Sequence, residues 1–111
     1  MPDMLSRLRA LPKNIRIGVV GIGNIGRGIV YQVDATPGME CVAIADAHLE
    51  RATAWAERLG RVYAVVETSI EMNDAIRKGL LAVCSDGMLV SSCDQVDVLV
   101  DSSTGGAQFA I

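Results

Sequence analysis

Three glycines near the start of the chain have the spacing of a phosphate-binding turn. Gly21, Gly23 and Gly26 follow the apolar run IRIGVV directly, within GIGNIG. In such a turn the first glycine permits a sharp change of direction, the second lets a phosphate approach the backbone, and the third allows the next helix to pack closely. We therefore predict that the backbone N–H groups of Asn24, Ile25 and Gly26, at the positive end of a helix, bind phosphate groups.

A carboxylate closes the next apolar run. Asp46 ends MECVAIAD and lies twenty positions after Gly26. A carboxylate at that place can accept hydrogen bonds from both hydroxyls of an adenosine ribose, and it would repel a 2′-phosphate. The pattern therefore predicts a dinucleotide ligand, with NAD favoured over NADP. Because Arg51 lies nearby and is able to meet a 2′-phosphate, NADP remains the second candidate.

Small and hydroxyl-bearing residues follow the last apolar run, VDVLVD. They are Ser102, Ser103, Thr104 and Gly105. Ligands of open parallel sheets bind outside the carboxyl ends of the strands where the strand order reverses. We therefore expect these four residues to line the far side of the same crevice and to contact the nicotinamide ribose. An alternative role for Ser103 or Thr104 is to cap a following helix.

No group of residues in the sequence suggests a catalytic pair or a metal centre. Cys41, Cys84 and Cys93 form no CxxC pair, and with the single His48 they match no standard zinc spacing. Their odd number indicates reduced thiols in a cytoplasmic protein. Asp86 is expected to cap a helix rather than to act as an acid or base. The catalytic residues therefore remain unknown, and no metal is expected.

The elements that must position the site alternate between strand and helix. Four apolar runs predict buried strands of a parallel sheet: 15–20, 39–46, 80–84 and 96–100. Amphipathic or capped stretches predict helices: one that ends at Pro12, then 24–33, 49–59, 69–78 with Ser69 as its cap, 86–93, and one that begins at 107. The segment 61–66 is ambiguous. Right-handed crossovers then give an α/β fold, a partial Rossmann-type doubly wound parallel sheet with strand order 3-2-1-4.

Length and charge indicate one domain that binds a small molecule. The chain has 111 residues, half of them apolar, which suffices for one core. A net charge of -3 with scattered Lys and Arg gives no footprint for nucleic acid or an anionic membrane. No apolar run reaches the ~18 residues of a membrane span. Neither nucleic acid nor a membrane is therefore an expected partner.

The last residues suggest that the chain is part of a longer protein. It ends at Ile111, within the last predicted helix and without a polar tail. We therefore expect residues 1–111 to be a nucleotide-binding domain whose substrate domain is absent. The last predicted strand, 96–100, would then be an unpaired apolar edge through which the domain self-associates.

Three stretches of the sequence resemble a known family. IRIGVVGIGNIGRGIVYQV, MECVAIAD and AIRKGLLAVCSDGMLVSSCDQVDVLVDSSTG resemble the N-terminal NAD(P)-binding domain of homoserine dehydrogenase-like oxidoreductases. The most similar branch carries a C-terminal SAF domain and includes enzymes like deoxyxylulose-phosphate reductoisomerase. The resemblance implies hydride transfer to or from a small polar substrate, with cofactor residues in the turns 21–26 and 102–105. It also implies that the catalytic residues lie in another part of the protein.

Two other classes of protein use the same motif. Nucleotide-sensing modules of potassium-transport regulators or redox-sensing repressors have a similar turn and acidic residue at similar length, so the fold does not separate them from dehydrogenases. A structural domain that has lost its ligand is the third alternative. The match over 75–105 and the extra helix after Asp46 favour the dehydrogenase. The intact glycine motif disfavours a structural remnant.

Overall fold

The apolar runs of the sequence form the strands of one sheet in the computed structural model, which describes residues 14–103 and 108–110. The described elements are β1 (Ile15–Val20), α1 (Asn24–Ala35), β2 (Met39–Ala45), α2 (Leu49–Arg58), β3 (Tyr63–Val65), α3 (Ser69–Arg77), β4 (Leu81–Cys84), α4 (Gly87–Ser91), β5 (Val98–Asp101) and β6 (Gln108–Ala110). The predicted helix that ends at Pro12 lies outside the described residues, as do Thr104 and Gly105.

The sheet has the spatial order β3-β4-β2-β1-β5-β6. Neighbours among β1 to β5 pair in parallel, and β6 pairs antiparallel with β5. Helices α1 and α2 pack on one face of the sheet, and α3 and α4 pack on the other. The fold is therefore α/β, with a five-stranded parallel sheet between two helical layers, and it is Rossmann-like in general kind.

The strand order differs from the predicted 3-2-1-4 because each edge of the sheet carries an additional strand. On one side the ambiguous segment 61–66 contains β3, which pairs with β4 through Tyr63↔Leu81 and Val65↔Val83. Only three residues form this strand, and both of its end residues are partly or largely exposed. The run VYAVV at 62–66 is apolar throughout, and periodicity alone does not separate a strand from a helix segment in such a run.

On the other side, the predicted helix from 107 is wrong. Gln108–Ala110 forms β6, with Asp101 opposite Gln108 and Leu99 opposite Ala110. The edge of β5 offers unpaired backbone groups, and the backbone of 108–110 pairs with them instead of forming helical bonds. The unpaired apolar edge that we expected at this strand is therefore not present, and self-association loses that structural basis.

Side-chain caps fix the starts of α3 and α4. Thr68, not the predicted Ser69, caps α3: its Oγ1 accepts the N–H of Glu71 at 3.1 Å, and Glu71 Oε1 accepts the N–H of Glu67 at 3.0 Å. The pair resembles a capping box, except that the return bond reaches Glu67, the residue before the cap, rather than the cap itself. Asp86 caps α4 as predicted, because its carboxylate accepts a backbone N–H of the first turn. Both helices thereby begin just after loops that leave the sheet.

Two apolar layers hold the helices against the sheet and fix the loops at its carboxyl edge. On one face Val19, Ile44 and Val30 are fully buried, and on the other Met72 and Val90 are. The loops that follow β1, β2, β4 and β5 all emerge at the same edge, where they surround one cleft. Among the helices that the structure describes, none is long and apolar enough to cross a membrane.

Candidate nucleotide-binding cleft

A cleft of about 620 Å³ opens at the carboxyl ends of β1, β2, β4 and β5. The structure brings eight of the predicted site residues to it: Gly21, Gly23, Asn24, Ile25, Gly26, Asp46, Ser102 and Ser103. The other two predicted residues, Thr104 and Gly105, lie outside the described part of the chain. Residues from three separate stretches of sequence therefore meet at the place that their spacing predicted.

The backbone conformation at Gly21 requires glycine. Its φ is +90°, in the left-handed region that residues with a side chain rarely adopt. A Cβ built there would also lie 2.7 Å from the Cα of Ser103. The N–H of Gly21 donates to the carbonyl of Ala45 at 2.7 Å, which ties the turn to β2. Gly21 is therefore needed for folding, whatever the turn binds.

Close packing at the first turn of α1 explains Gly26. A Cβ at this position would lie 1.8 Å from the carbonyl oxygen of Gly21 and 2.9 Å from the Oγ of Ser102. Backbone atoms cannot yield by that amount, so a side chain would push α1 away from the turn. Gly26 is thus a packing requirement of the fold.

No packing requirement explains Gly23. A Cβ built there would meet nothing within 4 Å, and its φ of −88° is open to any residue. Gly23 precedes α1, whose first N–H groups have no partner within the helix and whose first turn contains no acidic residue. The missing side chain therefore leaves the positive end of α1 open to the cleft, as the approach of a phosphate requires.

Asp46 is buried, with 8% of its surface exposed. Its Oδ2 accepts the N–H of Ile22 at 2.8 Å, and its Oδ1 accepts the N–H of His48 at 2.8 Å. Each carboxylate oxygen has two lone pairs, so each keeps one acceptor position beyond these bonds. The carboxylate thus tethers the glycine turn, a role that sequence reasoning missed, and it retains acceptor capacity for hydroxyl groups.

The second side of the cleft is held by hydroxyl groups that already have partners. Ser102 Oγ donates to the carbonyl of Gly21 at 2.7 Å. The N–H of Ser103 donates to Asp101 Oδ1 at 2.9 Å, and its hydroxyl bonds the same oxygen. These two hydrogen bonds from Ser103 lower the pKa of Asp101. The expected capping of a following helix by Ser103 is wrong, because β6 is the next described element.

Sequence reasoning missed the contribution of the loop after β4. Ser85 and Gly87 line the cleft on the side of β4. A Cβ at Gly87 would lie 2.9 Å from Cγ1 of Val20, so glycine lets this loop approach β1. The polar residues directly after the apolar run LAVC were the available signal, since the carboxyl ends of parallel strands share one edge.

The described part of the chain holds no group of three or more His, Cys, Asp or Glu side chains placed to bind a metal ion. Cys41 and Cys84 are buried and Cys93 is partly buried, all three as free thiols. Burial raises the pKa of Cys41 to about 12 and also raises that of Cys84. The cleft thus offers a ligand the backbone N–H groups at the start of α1 and the carboxylate of Asp46.

In comparisons with known proteins, no protein-family model and no curated protein sequence matches the chain. The functional inference consequently depends on the residues of the cleft.

Proposed function

We propose that this chain is the dinucleotide-binding domain of an NAD(P)-dependent oxidoreductase. The difference among the three glycines carries the proposal: Gly21 and Gly26 are required by conformation or packing, whereas Gly23 faces open space. A glycine with open space beside it, directly before the N-terminus of α1, is what close approach of a pyrophosphate requires.

The remaining residues of the cleft fit the other parts of a dinucleotide. Asp46 keeps one acceptor position on each oxygen for the hydroxyls of the adenosine ribose, which supports NAD as the first cofactor. Ser102 and Ser103 stand on the opposite side, where the nicotinamide ribose is expected. The cleft, at about 620 Å³, is within the ~300–1,000 Å³ range of cofactor sites.

The role of this domain in the proposed function is to bind the cofactor and to orient it. A bound nicotinamide would supply the hydride chemistry, and the chain's amides and carboxylate would hold the pyrophosphate and ribose in place. The resemblance to homoserine dehydrogenase-like oxidoreductases supports a small polar substrate, held by residues outside this chain. We therefore propose that the chain alone binds the cofactor and catalyses nothing, and that the whole protein acts in the cytoplasm.

Calorimetric titration with NADH and with NADPH tests the proposal, using the unmodified chain, Gly23→Ala and Gly28→Ala. Both substitutions add a methyl group where the structure has open space, but Gly28 lies farther along α1 and outside the cleft. We expect Gly23→Ala to weaken NADH binding by about tenfold or more, equivalent to about 1.4 kcal/mol. Its free energy of unfolding should fall by no more than about 1 kcal/mol, the cost of Ala in place of Gly at the N-cap of α1.

Gly28→Ala should bind NADH as the unmodified chain does. Absence of binding by the unmodified chain, for both NADH and NADPH, would refute the proposed function. Equal affinity of the Gly23→Ala and Gly28→Ala chains would refute the assigned role of Gly23 and remove the observation that carries the proposal.

A further inference from the structure

One side of the sheet ends at β3, and no described strand lies beyond it. The carbonyl of Val62 and the N–H of Val66 bond to the backbone of β4, at 3.0 and 2.8 Å. Because the backbone groups of successive strand residues point to opposite sides, those of Tyr63 and Val65 point away from β4. The outer edge of β3 therefore presents the donors and acceptors of these two residues to a further strand.

The backbone of β3 is self-complementary in an antiparallel pairing. A two-fold axis through Ala64 places Tyr63 of one copy opposite Val65 of another, and residues that oppose each other in this way exchange both N–H···O bonds. The axis repeats the pair, so every outward backbone group of the two residues is used. Ala64, the smallest side chain of the strand, then meets its own copy at the place where antiparallel strands approach most closely.

The apolar side chains match in the same register. Val65, which is 46% exposed, lies beside Tyr63 of the other copy on one face of the joined strands. Val62, which is 71% exposed, lies beside Val66 of the other copy on the opposite face. Aromatic and β-branched side chains that pair across strands stabilise sheets. Among the described residues six large apolar side chains are exposed, and three of them, Val62, Val65 and Ile70, belong to β3 or its flanking segments. The pairing would cover apolar surface that is concentrated here.

The charges at the two ends of β3 are also complementary. Arg61 precedes the strand and Glu67 follows it, so the same register places each Arg61 opposite Glu67 of the other copy. Asp34 and the carbonyl of Cys41 already accept from the Arg61 guanidinium, at 2.6 and 3.0 Å, and a guanidinium has more N–H groups than these two bonds use. A parallel pairing would instead set like charges side by side.

We propose that β3 is the contact surface of a two-fold dimer, in which β3 of a second copy of this chain pairs antiparallel with it around Ala64. The sheets of the two copies thereby join into one. Because the axis uses the same edge on both copies, this contact is closed and yields dimers rather than fibres. The strand is short, so the interface is small and the dimer forms transiently. The inference is independent of the proposed function, since no residue of 61–67 lines the nucleotide cleft.

Sedimentation velocity of the chain at rising concentration measures the association, and amide hydrogen exchange followed by NMR locates it. We expect dimers to accumulate between about 10 μM and about 1 mM, the range of weak interfaces. The amides of Tyr63 and Val65 should exchange severalfold more slowly in the concentrated sample than in the dilute one. The amide of Val66, which already donates to β4, should change little.

Two variants of Val65 test the pairing, because its side chain is exposed and its N–H is not used by β4. Val65→Pro removes the outward donor and should weaken association at least about tenfold. Val65→Lys places a charge on the edge, as many natural edge strands do, and should also weaken association; it keeps the test valid if the proline variant does not fold. Tyr31→Lys is the matched control, since it replaces an exposed apolar side chain, 58% exposed, by the same charge on α1. It should associate as the unmodified chain does.

A chain that stays monomeric over the whole range overturns the inference. So does a dimer in which the amides of Tyr63 and Val65 exchange as fast as in the dilute sample, because another surface then makes the contact. Slow exchange of these two amides in the dilute monomer would show that another part of the same chain covers β3, which also overturns it. Equal association of Val65→Lys and Tyr31→Lys would contradict the assigned contact. None of these results depends on NADH binding, so the proposed function is tested separately.

Discussion

The hydroxyl of Ser102 donates a hydrogen bond to the carbonyl of Gly21 over 2.7 Å, across 81 positions of sequence. The same hydroxyl lies where a Cβ on Gly26 would approach to 2.9 Å. The end of β5, the glycine turn and the first turn of α1 therefore form one packed contact. The shape of the turn depends on β5 as much as on the glycines themselves.

Replacing Ser102 by Ala is expected to loosen this contact. The carbonyl of Gly21 would lose its side-chain partner, at a cost of about 1 kcal/mol in the free energy of unfolding. NADH affinity should fall severalfold, because the turn would be held less firmly against the cleft. Urea denaturation and calorimetry measure the two effects.

Ser92→Ala is the matched control for that variant. Its hydroxyl also donates to a backbone carbonyl, that of Met88 at 2.6 Å, but at the end of α4 away from the cleft. It should affect stability alone. Equal NADH affinity in the two variants would contradict the role assigned to Ser102.

The glycine turn offers a comparison between two neighbouring substitutions. Gly21→Ala places a side chain at a φ of +90° and within 2.7 Å of backbone, so we expect a loss of at least about 1–2 kcal/mol of stability. Gly23→Ala should lower the urea midpoint less, because it adds no clash and costs only the difference between Gly and Ala at the N-cap of α1. Similar midpoints for both variants would contradict the described conformation of the turn.

The local patterns of the sequence located most of the elements. Long apolar runs identified β1 and β2 because strands covered on both faces are apolar throughout. β3 was not identified because the apolar run around it, 62–66, has no period that separates a strand from a helix, and β6 because its three residues are too few to show one. Their existence depends on neighbours: β4 offers an edge to β3, and β5 offers one to β6.

The residues of the site were likewise predictable where they depend on local spacing, and not where they depend on which strands are neighbours. Gly23 and Asp46 were assigned from spacing within one strand-turn-helix-strand unit, in which sequence distance fixes spatial distance. The hydrogen bond from Ser102 to Gly21 and the approach of Ser85 to the cleft depend on which strands become neighbours. No spacing within a segment encodes that information.

Asp46→Ala should shift the choice of cofactor. The variant removes the proposed acceptor for the ribose hydroxyls, so NADH affinity should fall while the ratio of NADPH to NADH affinity rises. Because the buried N–H of Ile22 also loses its partner, we expect a loss of about 1–3 kcal/mol in stability. Titration with both cofactors, below the melting temperature of the variant, gives the ratio. An unchanged ratio would contradict the role of Asp46 as the ribose acceptor.

Alkaline pH should destabilise the fold through Cys41. Burial, and next the nearby carboxylate of Asp34, raise the pKa of this thiol from 9.0 to about 12. The folded state therefore favours the neutral thiol, and the stabilisation is complete below the pKa of the unfolded chain. Between pH 9 and about 12 the unfolded state ionises first, which should lower stability by up to about 1.4 kcal/mol per pH unit.

Urea denaturation of the unmodified chain and of Cys41→Ala, from pH 8 to pH 11, tests this expectation. Cys41→Ala should be less stable at pH 8, because it leaves a small void, but it should lose less stability as the pH rises. Parallel losses in the two chains would show that Cys41 does not cause the alkaline dependence.

Both outer strands of the described sheet, β3 and β6, are only three residues long, whereas β1 and β2 have six and seven residues. Segments that template cross-β fibrils are about six or seven residues long and have an accessible edge. The segments of that length in this sheet are central, with a neighbour on each side. Within the part of the chain that the structure describes, the outer strands are therefore shorter than the segments that template such fibrils.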